Sequence, residues 1–112
     1  MTPRPLPNRW NLPDLGLGVG LRTQHFRHIT EHWPAMDWFE ILSENFIDTE
    51  GRPLWFLAQI AERYPIVMHG VCLSVGSTDP VDFEFLDKLA ALAKRVKAVW
   101  LGDHICWTGV AG

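Results

Sequence analysis

Four short runs of nearly continuous apolar residues punctuate the chain, at 15–21, 38–42, 65–69 and 98–102. Runs of this length without polar alternation suit strands that are covered on both faces. Between them the apolar spacing turns helical. Phe26, Ile29 and Trp33 fall at i, i+3 and i+7 before Pro34. Leu54, Leu57, Ala58 and Ala61 share one face of a segment that Pro53 opens and Pro65 closes. Val81, Phe85, Leu89 and Ala93, with Leu86 and Leu92 alongside, form a third stripe. Ahead of it, Asp79, Pro80 and Asp82 supply an N-cap, an N1 proline and an acid in the first turn. The predicted order is βαβαβαβ.

Strands that alternate with single helices imply crossover connections and a parallel sheet, hence the α/β class. An open doubly wound sheet and part of a (β/α)8 barrel both fit. Gly16, Gly18 and Gly20 alternate within the first run and lack the third glycine that would open a helix in a dinucleotide fingerprint. A whole barrel takes roughly 250 residues. On the barrel reading, the 112 residues could hold only about its N-terminal half, truncated after the fourth strand. Residues 1–13 contain four of the eight prolines and no periodicity, and read as an extended arm; residues 14–112 read as the partial barrel domain.

Composition narrows the function. With 47% apolar and 21% charged residues the chain is ordinary globular material. Ten Lys and Arg against thirteen Asp and Glu give a net charge of -3, which argues against a nucleic-acid binder working by phosphate neutralisation. No apolar run approaches the ~20 residues of a membrane span, and the N-terminus has no signal-peptide core. Two cysteines are too few for a disulfide scaffold, so a cytoplasmic location is expected. Five histidines and six tryptophans stand out in so short a chain.

Parallel α/β folds bind ligands at the loops beyond the carboxyl ends of their strands. Here those loops carry Arg22 and His25 after the first run, then Ser43, Glu44 and Asn45 after Glu40 in the second. The third ends in His69-Gly70-Val71-Cys72 and the fourth in Asp103-His104, with Cys106-Trp107 beyond. Imidazole and carboxylate thus converge on one rim, the donor class of open iron, manganese and zinc sites. Each group has a plainer reading. A strand-end histidine can satisfy a buried polar network, Glu44 can be a loop charge and Asn45 a turn residue. His28 and His32 have ligand spacing, but Ile29 stands where an HExxH glutamate would be, and they read as a solvated helix flank. Cys72 and Cys106 leave adjacent strands and read as free buried thiols, with Cys106 as a nucleophile beside His104 or His69 the alternative.

The ordered blocks Gly18-Val19-Gly20-Leu21-Arg22 with His25, Trp38-Phe39-Glu40 with Ser43-Glu44-Asn45-Phe46, His69-Gly70-Val71 with Leu73-Ser74 and Gly76, Asp79-Pro80, and Asp103-His104 with Cys106-Trp107 make a composite signature. It resembles the multinuclear non-heme iron-dependent oxidases, whose members include the enzymes of methanobactin and bufferin biosynthesis. The resemblance spans about residues 14–109. It implies a TIM barrel of the xylose-isomerase-like type with two or three irons at the strand carboxyl ends. It also implies O2-dependent modification of cysteine residues in ribosomal precursor peptides, with a small partner protein that presents the leader. By position, Glu44, His69, Asp103 and His104 match the metal-site motifs, and Arg22, His25 and Asn45 match site-lining positions. Two features depart from the family pattern: Cys72 stands where members often have glycine, and the chain stops where a second half barrel would begin. Isolated, such a half is expected to be inactive and to offer its last strand as an edge for self-association. The competing readings are a metal-dependent isomerase or phosphodiesterase of the same barrel class, and a non-catalytic fragment.

Overall fold

The computed structural model describes residues 11–107, so most of the proline-rich arm lies outside the described residues. Four strands follow in chain order: β1 Gly18–Gly20, β2 Trp38–Leu42, β3 Ile66–Gly70 and β4 Leu101–Asp103. Between them run α1 Phe26–His32, α2 Arg52–Arg63 and α3 Phe83–Val96. Short 3-10 turns, Thr23–His25 and Ser43–Asn45, follow β1 and β2. The sheet is wholly parallel with spatial order β1-β2-β3-β4. The register pairs Phe39 with Ile66, Leu42 with His69 and Gly70 with Asp103.

Cross-strand partners share a face. Phe39, Ile41, Ile66 and Met68 pack under the helices with Leu54, Leu57, Ile60, Leu89, Leu92 and Val96. α2 packs between α1 and α3. Sequential strand order with one helical layer is the half-barrel arrangement; a doubly wound sheet would reorder its strands and cover both faces. Trp38, Glu40, Leu42, Val67 and His69 alternate onto the opposite face. Gly18 belongs there for a steric reason, since a Cβ on it would run into the Trp38 ring. Of the alternating glycines, Gly18 makes room for an indole, whereas a Cβ on Gly16 would meet the Asp37 carboxylate.

The element boundaries differ from expectation in instructive ways. β1 and β4 are shorter than their apolar runs, yet the ladders extend past them: Leu21 N donates to the Glu40 carbonyl (2.7 Å) and Val99 N to that of Ile66 (2.9 Å). On α2 the buried residues are Leu54, Leu57 and Ile60, whereas Ala58 and Ala61 are half-buried. α3 begins later than the Asp79-Pro80 pair suggests. Its N-cap is Asp82, whose carboxylate accepts from Phe85 N at 3.1 Å. Asp79 instead donates its backbone N–H to Ser77 Oγ (3.1 Å) in the preceding loop. α1 ends as Trp33 turns into the left-handed region at φ 46°, one residue before Pro34.

Candidate functional site

The carboxyl ends of β2, β3 and β4 assemble a cluster around the backbone of residues 69–72. Glu44 projects from the 3-10 turn after β2. Its Oε1 accepts from Val71 N at 2.8 Å and Cys72 N at 3.0 Å. Asp103, at the end of β4, accepts its neighbour's N–H from His104 at 2.7 Å through Oδ1. The second oxygen of each carboxylate, Glu44 Oε2 and Asp103 Oδ2, is buried with no hydrogen-bond partner among the described residues. Both groups flank Gly70. A Cβ built there would collide with Asp103 Oδ2 and come within 3.3 Å of Glu44 Oε1.

Two imidazoles complete the cluster. The rings of His69 and His104 lie 4.8 Å apart between centroids, tilted by 56°. His104 Nδ1 lies 3.1 Å from the Gly70 carbonyl. A carbonyl can only accept, so Nδ1 carries the proton and Nε2 of the neutral ring keeps its lone pair. Beneath, fully buried Ser43 donates its hydroxyl to the His69 carbonyl at 3.1 Å. Ser43 was expected on the rim as a polar group; it is a strut holding β2 to β3.

Buried carboxylate oxygens without donors are costly unless a cation or proton compensates them. Two carboxylates with imidazole are a hard-to-borderline donor set of the kind iron accepts. The residues thus fit such an ion in chemistry. Among the described residues, however, no three His, Cys, Asp or Glu side chains are grouped closely enough to form a metal-binding cluster by themselves.

The remaining candidates lie around this cluster. Arg22 precedes, and His25 closes, the turn after β1; both are exposed, and His25 contacts Gln24 at 3.3 Å. Asn45 is exposed in the turn after β2. His28 and His32 stack at 4.4 Å on the exposed side of α1, consistent with a solvated flank. Cys72 and Cys106 are free, but Cys72 is exposed and Cys106 half-buried, so the expectation of buried thiols fails. Both lie past the strand ends, Cys72 after Gly70 and Cys106 after Asp103. Partial desolvation first, then the charges of Glu44 and Asp103, push the Cys72 thiol above its ordinary pKa. Gly70 had no sequence signal beyond its place after His69; only the approach of two carboxylates reveals why a side chain is excluded. A cleft of about 620 Å³ between the β2–α2 loop and α3 contains none of these groups.

Comparison with known proteins extends the picture. The chain is 47% identical over 97 residues to a UPF0276 protein of Acaryochloris marina, covering 87% of this chain and 35% of that protein. A UPF0276 protein of Caulobacter vibrioides is also 47% identical, over 98 residues, with the same coverage. One from Anaeromyxobacter is 45% identical over 98 residues, 88% of this chain and 35% of the relative. The chain thus spans about a third of the length of the curated relatives it matches. Residues 16–112 match the family described as RiPP precursor modification enzyme MbnB/TglH/ChrH. The half-barrel, the order of its motifs and this match together make the chain a member of the MbnB/TglH/ChrH family of RiPP precursor modification enzymes.

Proposed function

We propose that this chain supplies the first four strands' share of an iron centre in an oxidase that uses O2 to modify cysteine residues of a ribosomal precursor peptide. The observation that carries the reading is the pair of buried, unpartnered carboxylate oxygens flanking Gly70. Glu44, His69, Asp103 and His104 are the proposed ligands. Bound iron would supply O2 activation and a coordination position for the peptide thiolate. The chain's own groups orient the donors. Val71 and Cys72 N–H fix one Glu44 oxygen and aim the other, and the Gly70 carbonyl fixes the His104 tautomer. Arg22, His25 and Asn45, exposed on the same rim, are proposed to line the approach of the peptide. A small leader-binding partner protein would deliver it. Among the described residues no helix is long and apolar enough to cross a membrane.

A chimera tests the reading. Residues 16–107 replace the matching segment of the Acaryochloris relative, and iron content, O2 consumption and precursor-peptide mass are followed. His69→Ala is expected to abolish iron loading and O2-dependent peptide modification together. Retention of both by that variant refutes the ligand assignment. Loading with zinc or manganese and no O2 uptake favours an isomerase or phosphodiesterase chemistry on the same rim instead.

A further inference from the structure

One pair of reactive groups is left unused by the proposed ligand set. Cys72 lies two residues beyond Gly70 on β3, and Cys106 three beyond Asp103 on β4, and those two reference positions are cross-strand partners. The two thiols therefore leave neighbouring strands at nearly the same height. The loops that carry them are fastened together as well. Gly76 N donates to the Cys106 carbonyl at 2.7 Å, folding the β3 loop back over the Cys106 backbone. The approach is close enough that a Cβ on Gly76 would lie 2.9 Å from that oxygen. Both are free, and Cys72 is open to reagents in solution.

We propose that Cys72 and Cys106 are a thiol pair that a low-molecular-weight disulfide converts into an intramolecular disulfide across the rim. The exchange is balanced in two steps. One thiolate attacks a sulfur of oxidised glutathione, forming a mixed disulfide and expelling a glutathione thiolate. The second cysteine, giving its proton to solvent, attacks the protein sulfur of that mixed disulfide and expels the other glutathione thiolate. Two cysteines are oxidised and one glutathione disulfide is reduced. The bridge would tie the loop that grips Glu44 to the loop that follows His104. Because Cys72 N–H is one of the two donors to Glu44 Oε1, the redox state of the pair bears directly on that carboxylate. The proposal does not depend on the oxidase reading, since it needs only the two loops.

The experiment uses the 112-residue chain, incubated with oxidised glutathione at neutral pH and read by intact mass, alkylation and peptide mapping. The expected product is a monomer lighter by two hydrogens, with Cys72 linked to Cys106 and neither residue alkylated. Amide hydrogen exchange at residues 71–76 is expected to slow in that product. Cys72→Ser and Cys106→Ser are each expected to stop at a single glutathione adduct. Stable glutathione adducts on both cysteines of the unaltered chain, or a disulfide-linked dimer as the main product, would overturn the proposal. A bridge that forms without slowing exchange at 71–76 overturns its effect on the Glu44 loop. Far-ultraviolet circular dichroism of both serine variants checks that the fold persists.

Discussion

Glu44 divides its two oxygens between different tasks. Oε1 accepts two backbone N–H groups from the β3 loop, and Oε2 is buried without a partner among the described residues. The two tasks separate by substitution. Glu44→Gln keeps an acceptor for Val71 and Cys72 and removes the buried charge, so urea unfolding is expected to shift by less than about 1 kcal/mol. Glu44→Ala strands both N–H groups and is expected to cost roughly 1–3 kcal/mol. Both variants are expected to lose iron in the chimera. Equal destabilisation by the two would show that the acceptor role is unimportant. At this scale the sequence was informative where chemistry is unusual. Glu44, His69, Asp103 and His104 advertise themselves at strand ends, and the structure gathers them about one backbone segment. Ser43 and Gly70 were opaque because their roles depend on what another strand brings: a carbonyl for one, two carboxylates for the other.

Among the elements, β2 was legible to the residue, because an apolar run flanked by Asp37 and the Ser43 turn has sharp edges. α3 was legible in its stripe but not in its start. Asp79-Pro80 has the local chemistry of a helix N-terminus, yet that segment is part of the long loop returning from β3, where Gly76 is bonded to Cys106. Tertiary anchoring overrides the local signal, and the helix waits for Asp82, followed by Glu84 in its first turn. Removal of a carboxylate N-cap typically costs ~1 kcal/mol. Asp82→Ala is therefore expected to lower unfolding stability by about that amount, with a matching loss of helicity by circular dichroism. Asp79→Ala leaves the α3 cap in place and is expected to preserve helicity. The reverse ranking would return the cap to Asp79. The helix ends carry their own signature: Trp33 and Lys97 both adopt the left-handed conformation usually given to glycine.

For the molecule as a whole, stability comes from one apolar layer between sheet and helices. Leu57, on the central helix, is fully buried and belongs to that core. Leu57→Ala is expected to cost roughly 2–5 kcal/mol, a large part of the ~5–15 kcal/mol typical of a domain. Neighbouring Trp55 is 59% exposed, and Trp55→Ala is expected to change stability far less. Urea midpoints for the two variants decide whether the core runs through Leu57. Fold class was readable at this scale because parallel α/β units repeat their pattern along the chain. Which face of the sheet each strand residue takes was not, since near-continuous apolar runs carry no alternation to mark it.

The four-residue backbone segment from His69 to Cys72 acts as a common template. Its carbonyls and amides receive Ser43 and Glu44 from one neighbouring strand and His104 from the other, while Gly70 leaves space for Asp103. What is held is therefore indexed by main-chain position and not by the side chains at 71 and 72. Exchanging those side chains leaves the template intact. A single inserted or deleted residue between 69 and 72 is a different matter: it would put the donors of three strands out of register in one step. The segment is thus open in composition at 71 and 72 and closed in length throughout.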